Sequence, residues 1–160
     1  MHVDKYEQYW IIAFVSMLGV FVAALLAGAI IFGVRVPTPQ GFVDPSNLQD
    51  TEFANPGVRD MGDDEYEVWM IARMWQFQPA ELSFPVGSEV TFNVTSADVT
   101  HGFIIEHHNA NLEIVPGHIA QARVTFNEPG IYRIQCHEYC GLEHHSMYMP
   151  ITITEATDEE

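Results

Sequence analysis

A chain of 160 residues with 22 acidic and 6 basic side chains carries a formal charge of −16, a surface that repels phosphate and excludes nucleic acid as a partner. The length suffices for one ordinary domain with a sizeable core plus one small accessory element. Asp4 and Glu7 balance Lys5 and Arg35, so everything beyond residue 35 holds the whole excess and contains no lysine. Such a surface suits either an acidic docking face for a basic partner or a solvated coat adapted to high salt, where screening removes the self-repulsion. The missing lysine and the even spread of Asp and Glu favour the coat.

The accessory element comes first in the chain. From Trp10 to Val34 the sequence runs uncharged, "WIIAFVSMLGVFVAALLAGAIIFGV", roughly 37 Å as a helix and longer than a hydrocarbon core of about 30 Å. Ala27-Gly28-Ala29 resembles a signal-cleavage site, but the apolar run outlasts a signal peptide's and continues through Ile30, Ile31 and Phe32, which favours a retained anchor. Lys5 and Arg35 place one positive charge on each flank, so the positive-inside rule gives no orientation.

Residues 36–65 are broken by Pro37, Pro39, Pro45, Pro56 and three glycines and read as an extended linker between an anchor segment, 1–35, and a folded domain, 66–160. From Tyr66 the apolar period becomes two. "YEVWMIARMW", "SEVTFNVTS", "QARVTFN", "IYRIQC" and "MPITITE" alternate or are β-branched and aromatic, with turn sequences such as "NEPG" between them. Short strands at this spacing predict an all-β sandwich or barrel with Greek-key connections.

The chemistry is concentrated in "CHEYCGLEHHSM", Cys136 to Met147, which holds both cysteines, three histidines and a methionine. A disulfide would close a very short loop and leave the His and Met unexplained. A Cys2His2 zinc site has no need for a thioether. Core packing accounts for a lone Met or His, and poorly for a run of donors. Cys136, Cys140, His144 and Met147 are spaced so that one loop can turn all four toward a point, and soft thiolates with thioether and imidazole select copper. A blue-copper site needs one thiolate; two permit both sulfurs to bridge a pair of copper ions. The second imidazole then comes from elsewhere, with His101 in "SADVTHGF" the candidate, while His107, His108, His118, His137 and His145 are expected to face solvent.

These residues resemble the binuclear CuA domain of cytochrome c oxidase subunit II. The likeness runs over about residues 66–155 and includes "PVGSEVTF" and "EPGIYRIQC"; a single short anchor is more similar to the ba-type (B-family) oxidases than to the mitochondrial type. The resemblance implies a cupredoxin-like Greek-key barrel or sandwich with one N-terminal transmembrane helix. It also implies bridging by Cys136 and Cys140, with His101 and Met147 completing one copper, and His144 and the Glu138 carbonyl the other. In the mitochondrial type the residue matching Glu138 also helps bind magnesium at the interface with subunit I, a point where ba-type relatives depart. Trp75 and Phe77 match the aromatic patch that receives electrons, though an aromatic pair at period two also describes one face of a strand. Asp98 is placed to order the His101 loop, or is a solvated turn residue.

By this resemblance the chain accepts electrons from a soluble carrier, cytochrome c or a blue-copper protein, and passes them to haem in subunit I, where oxygen is reduced to water. It is thus an oxidoreductase subunit that reduces no oxygen alone, expected in a prokaryotic cytoplasmic membrane with its N-terminus inside and its copper domain outside. The alternative of another class is a membrane-anchored blue-copper carrier, against which Cys140 argues; a copper-delivery domain, in which the metal must exchange, fits an imidazole recruited from a distant strand less well.

Overall fold

The computed structural model describes residues 4–31 and 39–155, and the chain divides into two compact units, Met1–Val36 and Pro37–Glu160. In the first unit a single helix, α1, runs Lys5–Ile31. It starts where Asp4 accepts the Tyr6 amide on its carboxylate at 2.8 Å, with Glu7 in the first turn, an N-terminal arrangement that offsets unpaired amides and the helix dipole. Its 27 residues are apolar enough to cross a membrane and span roughly 40 Å. Tyr6, Tyr9 and Trp10 cluster at its start, where an aromatic belt meets the headgroups. The expected apolar run continues to Val34, but Phe32–Val34 lie outside the described residues.

The second unit is all-β. In chain order its strands are β1 Gly41–Phe42, β2 Gly57–Gly62, β3 Glu65–Arg73, β4 Gln76–Gln78, β5 Leu82–Pro85, β6 Glu89–Ser96, β7 His101–Ile105, β8 Asn111–Ile114, β9 His118–Thr125, β10 Gly130–Gln135 and β11 Tyr148–Thr154. One sheet has the order β1-β9-β6-β3-β2 with β4 paired to β3; the other is β5-β11-β10-β7-β8. β3 lies parallel to β6 and β5 parallel to β11, pairings no tight hairpin can make. They arise because the chain leaves the first sheet after β4, contributes β5 to the second and returns with β6, the crossing of a cupredoxin-like sandwich.

Period-two sequences fill the space between the sheets. On β11 Met149, Ile151 and Ile153 are buried while their neighbours are exposed, and on β8 Leu112 and Ile114 do the same. They meet Val68, Met70 and Ala72 of β3 and Val90, Phe92 and Val94 of β6 in one core. Aromatic rings knit it: Phe92 and Phe77 both pack on Phe103, at 5.6 and 6.3 Å.

The linker reading of residues 36–65 is corrected over its described part. Residues 41–62 contain β1, β2 and two short 3-10 helices, Leu48–Asp50 and Glu52–Ala54. They fold over the outer face of β3, where Leu48 and Phe53 bury against Ile71 and pack on Trp69, Ala97 and Ile119. Phe53 meets Trp69 edge-on at 4.9 Å, and Thr51 caps the second short helix by accepting the Phe53 amide. Pro56 follows the second short helix and Gly62, at φ 84°, ends β2; the scattered Leu48 and Phe53 suffice because the sheet already offers an apolar face.

Candidate metal centre

The donor residues gather at one end of the sandwich because four chain segments end there. His101 opens β7, Cys136 follows β10, Met147 precedes β11, and His144 starts a 3-10 helix, His144–Ser146, within the loop. That loop is an enlarged hairpin connection between β10 and β11, its neck closed by the Cys136 amide donating to the Met147 carbonyl at 3.0 Å.

Within it the two sulfurs lie 3.7 Å apart, both cysteines reduced and buried. His101 Nδ1 stands 3.9 Å from Cys136 Sγ, and the Glu138 carbonyl oxygen 3.2 Å from the same sulfur. On the other side His144 Nδ1 and Met147 Sδ approach Cys140 Sγ at 3.5 and 3.6 Å. All six sequence-predicted donors are therefore brought together, and His101, Cys136 and Cys140 alone already meet the spacing of a metal site. Two thiol sulfurs, a thioether, two imidazoles and one carbonyl form a soft, largely uncharged set that fits copper and gives hard cations little.

The surrounding groups tune charge. Burial opposes ionisation of Cys136, but hydrogen bonding by His101 and the backbone of Gly102 and Glu138 outweighs it and brings the thiol down to about 6. Burial, reinforced by the neighbouring Cys136 sulfur, pushes Cys140 up to about 12. The two shifts run in opposite directions, so Cys136 gives up its proton more readily than Cys140. Burial lowers His101, yet Cys136 and Asp98 together raise it. Asp98 is the group that orders the His101 loop. Its Oδ1 meets His101 Nε2 at 2.8 Å and accepts from the Val99 amide, while its Oδ2 accepts from the Met74 amide at 2.7 Å.

Trp75 and Phe77 do not share a face as a strand pair. Trp75 lies in the turn between β3 and β4, half-buried, with its indole Nε1 donating to the Cys140 carbonyl at 3.2 Å. Phe77, inside β4, is 2 % exposed and packs in the core edge-on to Phe103 at 6.3 Å, so it offers no surface to a donor. Of the histidines expected in solvent, His107, His137 and His145 are exposed. His108 instead packs between Phe126 and Tyr132 at 4.8 and 5.0 Å and His118 against Phe42 at 5.1 Å, while the exposed His137 still bonds the Leu112 carbonyl through Nε2 at 3.1 Å. Two contributors escaped sequence reasoning, this His137 and Gly102, whose amide donates to Cys136 Sγ at 3.4 Å. Gly102 had a signal: a glycine inside a strand pattern marks close approach of another backbone.

Comparison with known proteins agrees with this geometry. The family model described as the periplasmic domain of cytochrome c oxidase subunit II matches residues 71–156. Cytochrome c oxidase subunit 2 of Thermus thermophilus is 38 % identical over 156 residues, covering 94 % of this chain and 92 % of that one. A chain from the cryo-EM structure of a haem-copper terminal oxidase dimer superposes with a TM-score of 0.76 at 32 % identity, covering 94 % of this chain and all of that one. The periplasmic domain of cytochrome oxidase subunit II from Bradyrhizobium japonicum shares the fold, with a TM-score of 0.52 at 22 % identity over 56 % of this chain and 83 % of that one. With the match spanning anchor, sandwich and donor loop alike, the chain belongs to the cytochrome c oxidase subunit II family.

Proposed function

We propose that this chain is the electron-receiving subunit of a haem-copper oxidase and that its donor loop holds two copper ions, bridged by Cys136 and Cys140. The observation that carries the reading is the pair of sulfurs 3.7 Å apart with an imidazole nitrogen beside each, His101 Nδ1 at 3.9 Å and His144 Nδ1 at 3.5 Å. Met147 and the Glu138 carbonyl complete the set. Bound copper supplies one-electron redox chemistry. The protein's part is to hold six donors still: a β scaffold and an Asp98-anchored His101 limit ligand movement when charge changes.

Trp75 gives electrons a route inward, since its indole is partly exposed and hydrogen-bonded to the carbonyl of a bridging residue. A soluble donor, cytochrome c or a blue-copper protein, delivers at this face. The electrons go on to haem in subunit I, where oxygen is reduced to water, in keeping with the haem-copper terminal oxidase that the chain resembles over 94 % of its length. The family model's description as periplasmic supports an outer copper domain on a prokaryotic cytoplasmic membrane, α1 crossing once with its N-terminus inside. The exposed Glu138 side chain is the group that would reach magnesium at the boundary with subunit I.

Copper analysis and electron paramagnetic resonance test the centre. The full chain should take up two coppers and, in its mixed-valence form, show the seven-line hyperfine pattern of one electron shared equally by two copper nuclei. A four-line spectrum from a fully loaded sample would favour the anchored blue-copper carrier instead.

A further inference from the structure

Gly102 sits in β7 without the left-handed backbone that calls for glycine elsewhere in the chain. Its requirement is space. A Cβ here would lie 2.6 Å from both the His137 backbone nitrogen and its Cγ, and 2.7 Å from the Glu138 nitrogen. Two of these three atoms are backbone and cannot swing aside. The His137 ring therefore occupies the room a side chain at 102 would need. Its Nε2 must carry the proton, because the partner 3.1 Å away is the Leu112 carbonyl oxygen.

Leu112 belongs to β8, opposite Phe103 of β7. His137 thus reaches from the donor loop, across Gly102, to the next strand of the sheet. The same contact brings the Gly102 amide to Cys136 Sγ at 3.4 Å and leaves the Glu138 carbonyl 3.2 Å from that sulfur.

We propose that His137 and Gly102 form a latch that fixes Cys136 Sγ and the Glu138 carbonyl in position ahead of metal binding, which makes His137 a positioning residue. It lies between two donors in sequence and donates to the fold. Glu138 is exposed and contributes only a main-chain oxygen; one residue of slack would let that carbonyl turn to water, and the His137 bond to β8 removes the slack. Such outer contacts fix the orientation of inner ones, and losing them typically costs about 10- to 100-fold in metal affinity. The latch deepens the copper reading and rests on it for its metal-loaded half only.

The test uses the full chain in detergent. In copper-free protein, alkylation of Cys136 by iodoacetamide, mapped on its peptide, should run about tenfold faster in His137→Ala than in the native chain, as the segment over the sulfur loosens. His137→Gln, whose side-chain amide can still donate to Leu112, should alkylate at the native rate. After copper loading, His137→Ala should release metal to a chelator about 10- to 100-fold faster and change the hyperfine splitting, with His137→Gln restoring both. Gly102→Ala, a folded barrel being verified by circular dichroism, should match His137→Ala. Equal alkylation and equal copper release in native and His137→Ala chains would overturn the latch. Failure of the native chain to bind copper would count against the copper reading alone, because the alkylation comparison involves no metal.

Discussion

The indole Nε1 of Trp75 donates to the Cys140 carbonyl at 3.2 Å, and the ring lies so close to Gly141 that a Cβ there would fall 2.9 Å from the same nitrogen. Trp75 is thus coupled to the main chain of a sulfur donor while remaining outside the donor set. Trp75→Phe keeps an aromatic ring and loses the hydrogen bond. Copper content should stay native while the rate of reduction by a soluble donor falls about tenfold, the lower end of outer-contact effects. Stopped-flow reduction measured beside copper analysis separates the two; copper loss in step with the rate would make Trp75 a structural prop only.

The sulfur donors should rank by chemistry. Cys136→Ser or Cys140→Ser replaces a soft bridge with a hard oxygen and should abolish the shared-valence spectrum. Met147→Leu should retain two coppers with a changed potential, because a thioether at 3.6 Å from Cys140 adjusts a site already held by four stronger donors. Identical copper loss in all three variants would contradict this order.

Metal removal exposes a difference between the thiols. With Cys136 held down at about 6 and Cys140 up at about 12, alkylation of the copper-free chain should mark Cys136 first. Its rate should fall as pH drops through about 6, where the thiolate is lost, and plateau above; Cys140 should stay slow across the neutral range. Peptide mapping over pH 5 to 9 reads both, and equal labelling at pH 7 would refute the asymmetry (pH range set by the ordinary thiol value of about 8.5).

Phe53 is 1 % exposed in the small cluster over the outer face of β3. Phe53→Ala should cost about 3–5 kcal/mol of domain stability, as truncated buried aromatics do. Denaturant unfolding reads this directly, and a loss under about 0.5 kcal/mol, the scale of surface changes, would restore the view of residues 41–62 as a loose tether.

Among the described residues, Arg59–Glu52 and Arg123–Glu89 are the arginine–carboxylate pairs, against a formal charge of −16. Most of the acidic coat is therefore balanced only by dissolved ions. The thermal midpoint should rise as salt increases from about 0.01 M to about 1 M and the Debye length shrinks from about 30 to about 3 Å. Full stability in dilute buffer would instead favour a dedicated acidic docking face.

The donor loop was legible in the sequence because copper chemistry demands particular atoms at short spacing, and Cys136 to Met147 lie within one hairpin connection. His101 was legible among several histidines because its segment, "SADVTHGF", is β-branched and turn-bounded. The strands read best where one face is buried, as on β11; β4 and β5 are too short to show a period. The stretch from Gly41 to Gly62 was hidden for another reason. Its apolar residues are few and aperiodic, and they become a core only against Trp69 and Ile71, whose outward placement no local pattern announces. Phe77 and the half-buried His108 and His118 went astray likewise, since burial of a single side chain is decided by neighbours distant in sequence.

The hydrogen bond from the Cys136 amide to the Met147 carbonyl separates two different constraints on length in this chain. Above that neck, a residue gained or lost within 137–146 would leave intact the register that pairs Gln135 with Tyr148 and Gly130 with Ile153, since the ends are held and loop length itself costs little. It would, however, carry Glu138, Cys140 or His144 out of the donor set. Below it the same change is ruinous: one residue inserted after Met149 would turn Ile151 and Ile153 out to water. Length is therefore held on both sides of the neck, by the donors above it and by the alternation of the sheet below it.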